Sequence, residues 1–218
     1  MSTGRRVLTS LALVLASGAA LADSVVFLDG FESYSSGSIL NWTPPVSSPW
    51  TLSNGTIDLI HTGNYALSAS AGLDLLNGQS FFLDMDGSTH QAGLLDLHNI
   101  LTPGQQYQLD FIVSGNQRGN IGYTTSDTVD VALLQGSTAI SLVNTTLAHN
   151  APWQIQNATF TYQSGDIIRF RDLGSTDNVG YLLDNVRISA VPEPISMVML
   201  GFLGAGMLGV RKLKGKKQ

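Results

Sequence analysis

The stretch Gln106-Tyr107-Gln108-Leu109-Asp110-Phe111-Ile112-Val113 decides the fold class. Tyr107, Leu109, Phe111 and Val113 fall on one side of an extended chain, and Gln106, Gln108 and Asp110 fall on the other. A period of two with one apolar face marks a half-buried strand. The scheme recurs outward in both directions. Val25–Asp29 is apolar and β-branched, and in Thr56–His61 Ile57 and Leu59 share a side. In Ser80–Asp86, Leu83 and Met85 alternate with Asp84 and Asp86. Further on, Val129, Val131 and Leu133 repeat it, as do Ala158, Phe160 and Tyr162, then Ile168 and Phe170 between Arg169 and Arg171. Leu182, Val186 and Ile188 close the series.

Turn chemistry separates these runs at Asn54-Gly55, Thr62-Gly63-Asn64, Asp86-Gly87, Thr102-Pro103-Gly104, Gln135-Gly136-Ser137 and Ser164-Gly165-Asp166. No segment carries an apolar stripe of helical period and length. Leu94–Ile100 comes nearest and is too short. The pattern predicts an all-β protein, an antiparallel β-sandwich.

The two ends of the 218-residue chain read differently. Arg5 and Arg6, the apolar run Val7–Ala16 and the small-x-small site Ala20-Leu21-Ala22 make residues 1–22 a secretory signal peptide. At the other end, residues 195–210 carry no charge and are followed by Arg211, Lys212, Lys214, Lys216 and Lys217. Sixteen residues make a helix of about 24 Å, enough to insert into a locally thinned bilayer. The basic tail, 211–218, holds all four lysines of the chain and belongs on the cytoplasmic side. Gly201, Ala205 and Gly209 recur every four residues, a spacing that lets a second helix approach.

Between these ends lies the predicted sandwich, 23–190. It carries fifteen acidic side chains against four arginines, a formal net charge of −11. Nucleic-acid binding requires the opposite sign. With no cysteine in the chain, neither disulfides nor thiolate metal sites contribute.

Val191-Pro192-Glu193-Pro194, the short apolar span and the basic tail together resemble the PEP-CTERM sorting domain. The resemblance implies recognition of Pro192, Glu193 and Pro194 by a membrane-embedded exosortase. It also implies transient anchoring and delivery to the outer surface or extracellular matrix of a Gram-negative bacterium, in association with exopolysaccharide. The central region resembles galactose-binding-like jelly rolls of secreted carbohydrate-binding modules. The matching pieces are Asp29-Gly30-Phe31-Glu32, Trp50 with Asn54-Gly55-Thr56, Phe82–Gly87, Leu101–Tyr107 and Leu183-Asp184-Asn185-Val186. That resemblance implies a structural calcium ion at Glu32 and Asp184.

Strand alternation places Asp184 on the side of Leu182, Val186 and Ile188, the expected core face, where a carboxylate needs a partner. Asp84 and Asp86 read as a solvated strand face ending in a turn. Trp42 and Trp153 lie beside prolines and are the candidates for stacking on sugar rings, whereas Trp50 opens a strand and reads as core. His61, His90, His98 and His149 show no metal-ligand spacing, and no nucleophile elbow or phosphate-binding loop occurs. These readings favour a non-catalytic exported protein that binds or joins a polysaccharide matrix. A polysaccharide hydrolase or lyase, or a structural surface protein without ligand, are the alternatives.

Overall fold

The computed structural model describes residues 24–66, 80–117, 125–174 and 177–192. The signal peptide 1–22, Glu193, Pro194, the span 195–210 and the basic tail lie outside the described residues. Among the described residues no helix is long and apolar enough to cross a membrane.

Twelve strands are described: β1 (Ser24–Asp29), β2 (Ile39–Trp42), β3 (Trp50–Ser53), β4 (Ile57–His61), β5 (Phe81–Asp84), β6 (Leu94–His98), β7 (Gln106–Ser114), β8 (Asp127–Gln135), β9 (Thr138–Leu147), β10 (Gln154–Thr161), β11 (Ile167–Asp172) and β12 (Leu182–Ala190). They build two antiparallel sheets. One runs β10-β7-β12-β5-β4-β2, and β1 pairs along the far half of β12. The other runs β3-β6-β11-β8-β9. Leu94–His98, the segment nearest to helical in sequence, is an inner strand of this second sheet. Leu95 and Leu97 enter the core and Asp96 faces outward, so alternation across two neighbouring strands overrides a local pattern.

The main core fills the space between the sheets. Leu109, Phe111 and Val113 of β7 meet Val129, Val131, Leu133, Ile168 and Phe170 of the facing sheet. Phe170 receives Phe111 edge-on at 5.4 Å between ring centres and Trp50 at 5.8 Å. Truncating such a ring to alanine costs about 3–5 kcal/mol. Asp29 fastens the start of the chain to this core. Its Oδ2 accepts from the Trp50 indole N–H (2.8 Å) and the Tyr34 hydroxyl (2.6 Å), and its Oδ1 accepts from the Phe31 amide. Burial and this carboxylate push the Tyr34 phenol up to about 12.

A second, smaller apolar cluster lies on the other side of the larger sheet: Ile60, Phe82, Ile112, Trp153 and Leu182. Its existence follows from an irregularity in β12. Leu183 belongs to the main core, Leu182 to the smaller cluster, and the register with β7 shifts between Asp184 and Arg187. Asn185 sits there at φ 53. A bulge adds one residue and flips every side chain beyond it to the opposite face. Asp184 therefore shares the side of Leu182 but not that of Val186 and Ile188, which correct alternation from a single strand would have joined.

Candidate functional site

The outer face of the five-stranded sheet is a polar platform made by alternation. Arg169 and Arg171 flank core-facing Phe170 on β11, Asp96 separates Leu95 and Leu97 on β6, and Asp130 separates Val129 and Val131 on β8. Antiparallel register sets them side by side. Asp96 lies opposite both Thr51 and Arg169, and Asp130 lies opposite both Arg171 and Asn144.

The Arg169 guanidinium grips Asp96 with two parallel bonds, Nε to Oδ1 and Nη2 to Oδ2, both 2.7 Å. This carboxylate raises the Arg169 pKa further. Arg171 Nε donates to Asp130 Oδ2 (2.5 Å), while Asn144 Nδ2 donates to Asp130 Oδ1 (2.9 Å). Thr51 and His98 join at 2.8 Å between Oγ1 and Nε2. Beside this pair an open groove of 640 Å³ continues the platform along Ser48, Pro49, Asn99 and Ile100. A second cleft, of 550 Å³, opens where β9 and β10 edge the two sheets and is lined by Leu133, Ile140, Leu142 and Phe160.

The platform offers charged and amide groups fixed in one plane by register, with guanidinium N–H groups and side chains partly open to water. Such an array suits hydrogen bonding to a hydroxyl-rich chain. Both of its carboxylates are tied to arginines, which leaves neither as a free acid–base pair for bond cleavage.

A different acidic region occupies the end of the sandwich where β5 ends, β8 begins and the β11–β12 loop closes. Asp84 and Asp86 are both fully buried there, a correction to the solvated face expected from sequence. Their carboxylates are acceptors for the loop. Asp84 Oδ1 accepts from Gly180 N (2.8 Å), and Asp86 Oδ2 accepts from Asn178 N (3.1 Å). Asp172 accepts from the amides of Gly174 (2.7 Å), Thr128 (3.1 Å) and Tyr181 (3.3 Å). Asp127 Oδ2 accepts from Asn116 Nδ2 (3.1 Å), and Asp177 Oδ2 from the Thr125 hydroxyl (2.9 Å).

Burial, then the neighbouring Asp172, pushes Asp127 up to about 8. Burial dominates again in lifting Asp172 to about 6, and it raises Asp86 as well. Among the described residues no three acidic or histidine side chains gather tightly enough to hold a metal as they stand.

The residues singled out from sequence take separate places. Glu32 is exposed, and its Oε1 accepts from the amides of Ser80 (2.6 Å) and Phe81 (2.8 Å). Asp184 is buried, and its Oδ1 accepts from the Asn185 amide (2.6 Å). Trp42 and Trp153 are corrected as sugar platforms. Trp42 is 3% exposed and packs on Tyr34, and Trp153 is 4% exposed and packs edge-on against Phe82. Neither ring has a face left for a sugar. Pro192 is the last described residue. The alternation of Arg169 and Arg171 was visible in sequence, but not the acids that meet them.

No protein-family model matches the sequence, and no curated protein sequence matches it. Solved structures do. The CBM22-1 xylan-binding domain of Paenibacillus barcinonensis Xyn10C is 15% identical over 80% of this chain and 99% of its own, with a TM-score of 0.50. The K3 cleaved adhesin domain of Lys-gingipain from Porphyromonas gingivalis is 18% identical over 77% and 98%, at 0.48. The CBM22-1–GH10 modules of Clostridium thermocellum xylanase 10B, complexed with xylohexaose, are 14% identical at 0.48. The chain matches there over 78% of its own length but spans only 29% of that enzyme chain. At 15% identity the likeness to the xylan-binding domain is one of fold alone, that of a jelly-roll sandwich.

Proposed function

We propose that residues 24–192 form a non-catalytic polysaccharide-binding domain whose contact surface is the outer face of the five-stranded sheet. The observation that carries this is the row of paired groups, Asp96 with Arg169 and Asp130 with Arg171 and Asn144, laid flat beside the groove at Thr51 and His98. The fold shared with a xylan-binding domain supports the ligand class. Both arginine side chains stay partly exposed after pairing, and each good charge-assisted bond to a ligand contributes about 1.5–3 kcal/mol.

In the same proposal the chain is exported by its N-terminal signal, sorted by an exosortase through Pro192, Glu193 and Pro194, and ends at the cell surface or in the exopolysaccharide matrix. Glu32 and Asp184 stay within it as a pair that a structural calcium would join.

Affinity electrophoresis of the full chain in detergent tests the binding claim, using gels cast with xylan, β-glucan or an acidic bacterial exopolysaccharide. Retardation in at least one gel, lost in the Arg169→Ala, Arg171→Ala double variant, is expected. Equal mobility in every gel would leave a structural surface role, and release of reducing sugar would point to the enzymatic alternative. Mass spectrometry of the mature protein tests the export claim, with the N-terminus expected at Asp23 and a C-terminal cut near Pro192.

A further inference from the structure

The end of the sandwich holds more buried negative charge than its hydrogen bonds explain. Asp86 and Asp127 are fully buried, yet Oδ1 of each has no hydrogen-bond partner, and Asp177 Oδ1 is also buried and unpartnered. Asp127 feels both Asp172 and Asp177, and Asp86 feels Asp177. No cation offsets them among the described residues. Arg169 and Arg171 are engaged with Asp96 and Asp130 on the outer face, and Arg187 lies exposed opposite Asp110. A buried, uncompensated carboxylate costs several kcal/mol, so the fold must supply either a proton or a cation.

Two glycines let the backbone pack closely against these carboxylates. A side chain on Gly174 would start 2.9 Å from Asp172 Oδ1 and 3.1 Å from Asp127 Oδ1, so those two oxygens lie on the same side of Gly174 and at most 6.0 Å apart. A side chain on Gly180 would start 2.9 Å from Asp172 Oδ2 and 2.4 Å from the Asp86 amide nitrogen. Asp172 thus sits between two positions where only a hydrogen fits, its oxygens turned toward Asp127 on one side and Asp86 on the other.

We infer that Asp127 and Asp172 form a binding site for a hard divalent cation, calcium, with the charges of Asp86 and Asp177 behind them. Calcium takes six to eight oxygens, many of them neutral carbonyls and water, so two carboxylates suffice as anionic ligands. The donor set contains oxygen only, which excludes the softer metals. Bound there, the ion would replace the missing partner of Asp127 Oδ1 and lock the β11–β12 loop to β8. This site shares no residue with the glycan platform and does not depend on it. It is also separate from the Glu32–Asp184 pair.

Calcium chloride and, separately, magnesium chloride are titrated into the chelator-stripped full chain in detergent, read by calorimetry and by thermal midpoint. Calcium is expected to bind and to raise the midpoint by about 5–10 °C at a hundredfold excess over Kd. The shift is expected to vanish in Asp127→Asn and in Asp172→Asn and to survive in Glu32→Gln. If Asp127→Asn does not fold, terbium luminescence of the unaltered protein, quenched by added calcium, carries the same expectation. The site is overturned if calcium leaves the midpoint unchanged, with a proton then serving as the neutralising partner. It is equally overturned if the shift persists in Asp127→Asn or disappears only in Glu32→Gln.

Discussion

Two regions of this protein handle aspartates in opposite ways. On the outer face of the five-stranded sheet, Asp96 and Asp130 are buried but each meets an arginine placed by register, and the arginines stay partly open to water. At the sandwich end, Asp86, Asp127 and Asp172 are buried and, among the described residues, meet backbone amides, Asn116, Asp177 and each other. A carboxylate neutralised by a partly exposed arginine is stable where it lies and leaves guanidinium donors for a ligand. A buried acidic cluster strains the fold until something neutralises it. The first region is therefore fitted to binding a large external molecule, and the second to holding the loop and a small ion.

The contrast is sharpest in its dependence on pH. Asp127 titrates near 8 and Asp172 near 6 in the folded protein, against 3.8 for an ordinary aspartate. Their folded values lie above the unfolded ones, so between about pH 4 and pH 8 the native state holds more protons than the unfolded chain. Metal-free protein should accordingly lose several kcal/mol of stability as pH rises through that window, then level off. Urea unfolding at pH 5 and pH 8 checks this, and equal midpoints would contradict it. Added calcium should help more at pH 8, where no proton competes.

Smaller effects follow by mutation. Asp172→Ala strips the acceptor from three backbone amides and should destabilise by about 2–4 kcal/mol, partly offset by relief of charge repulsion. Gly180→Ala drives a methyl group into the Asp86 backbone and should cost about 1–3 kcal/mol. On the platform, Arg169→Ala leaves the buried Asp96 carboxylate without its two donors and should cost about 1–3 kcal/mol in stability, yet remove a gel-retardation signal that Asp172→Ala leaves in place once refolded. Arg171→Ala should cost still less, since its side chain is 41% exposed. A large stability loss from either arginine, read by thermal denaturation, would erase the distinction between the two regions.

Much of the sandwich was written locally. β7, β8, β10 and β11 carry the alternation that a single strand needs, and their turns carry glycine where φ is positive, as at Gly136 between β8 and β9 (φ 59). β9 escaped because it is an edge strand whose first residues are exposed on both sides, so nothing alternates. β6 was ambiguous because Leu94-Leu95-Asp96-Leu97 is too short to show a period. The platform was half legible. The outward arginines follow from alternation, but their acids lie 73 and 41 residues away in sequence and meet them only through register. Asp184 was misplaced by one asparagine at positive φ, a bulge with no local signature. Trp42 and Trp153 misled because neighbouring prolines suggested exposed loops, whereas the rings turn inward to close two separate apolar clusters.

Hydrogen–deuterium exchange, with and without the polysaccharide retained in the gel assay, tests the glycan contact most directly. Protection is predicted along β6, β11 and the groove at Thr51–Ile100, with β10 and the outer side of β7 unchanged. Protection confined to the β9–β10 cleft, or to the larger sheet, would contradict it.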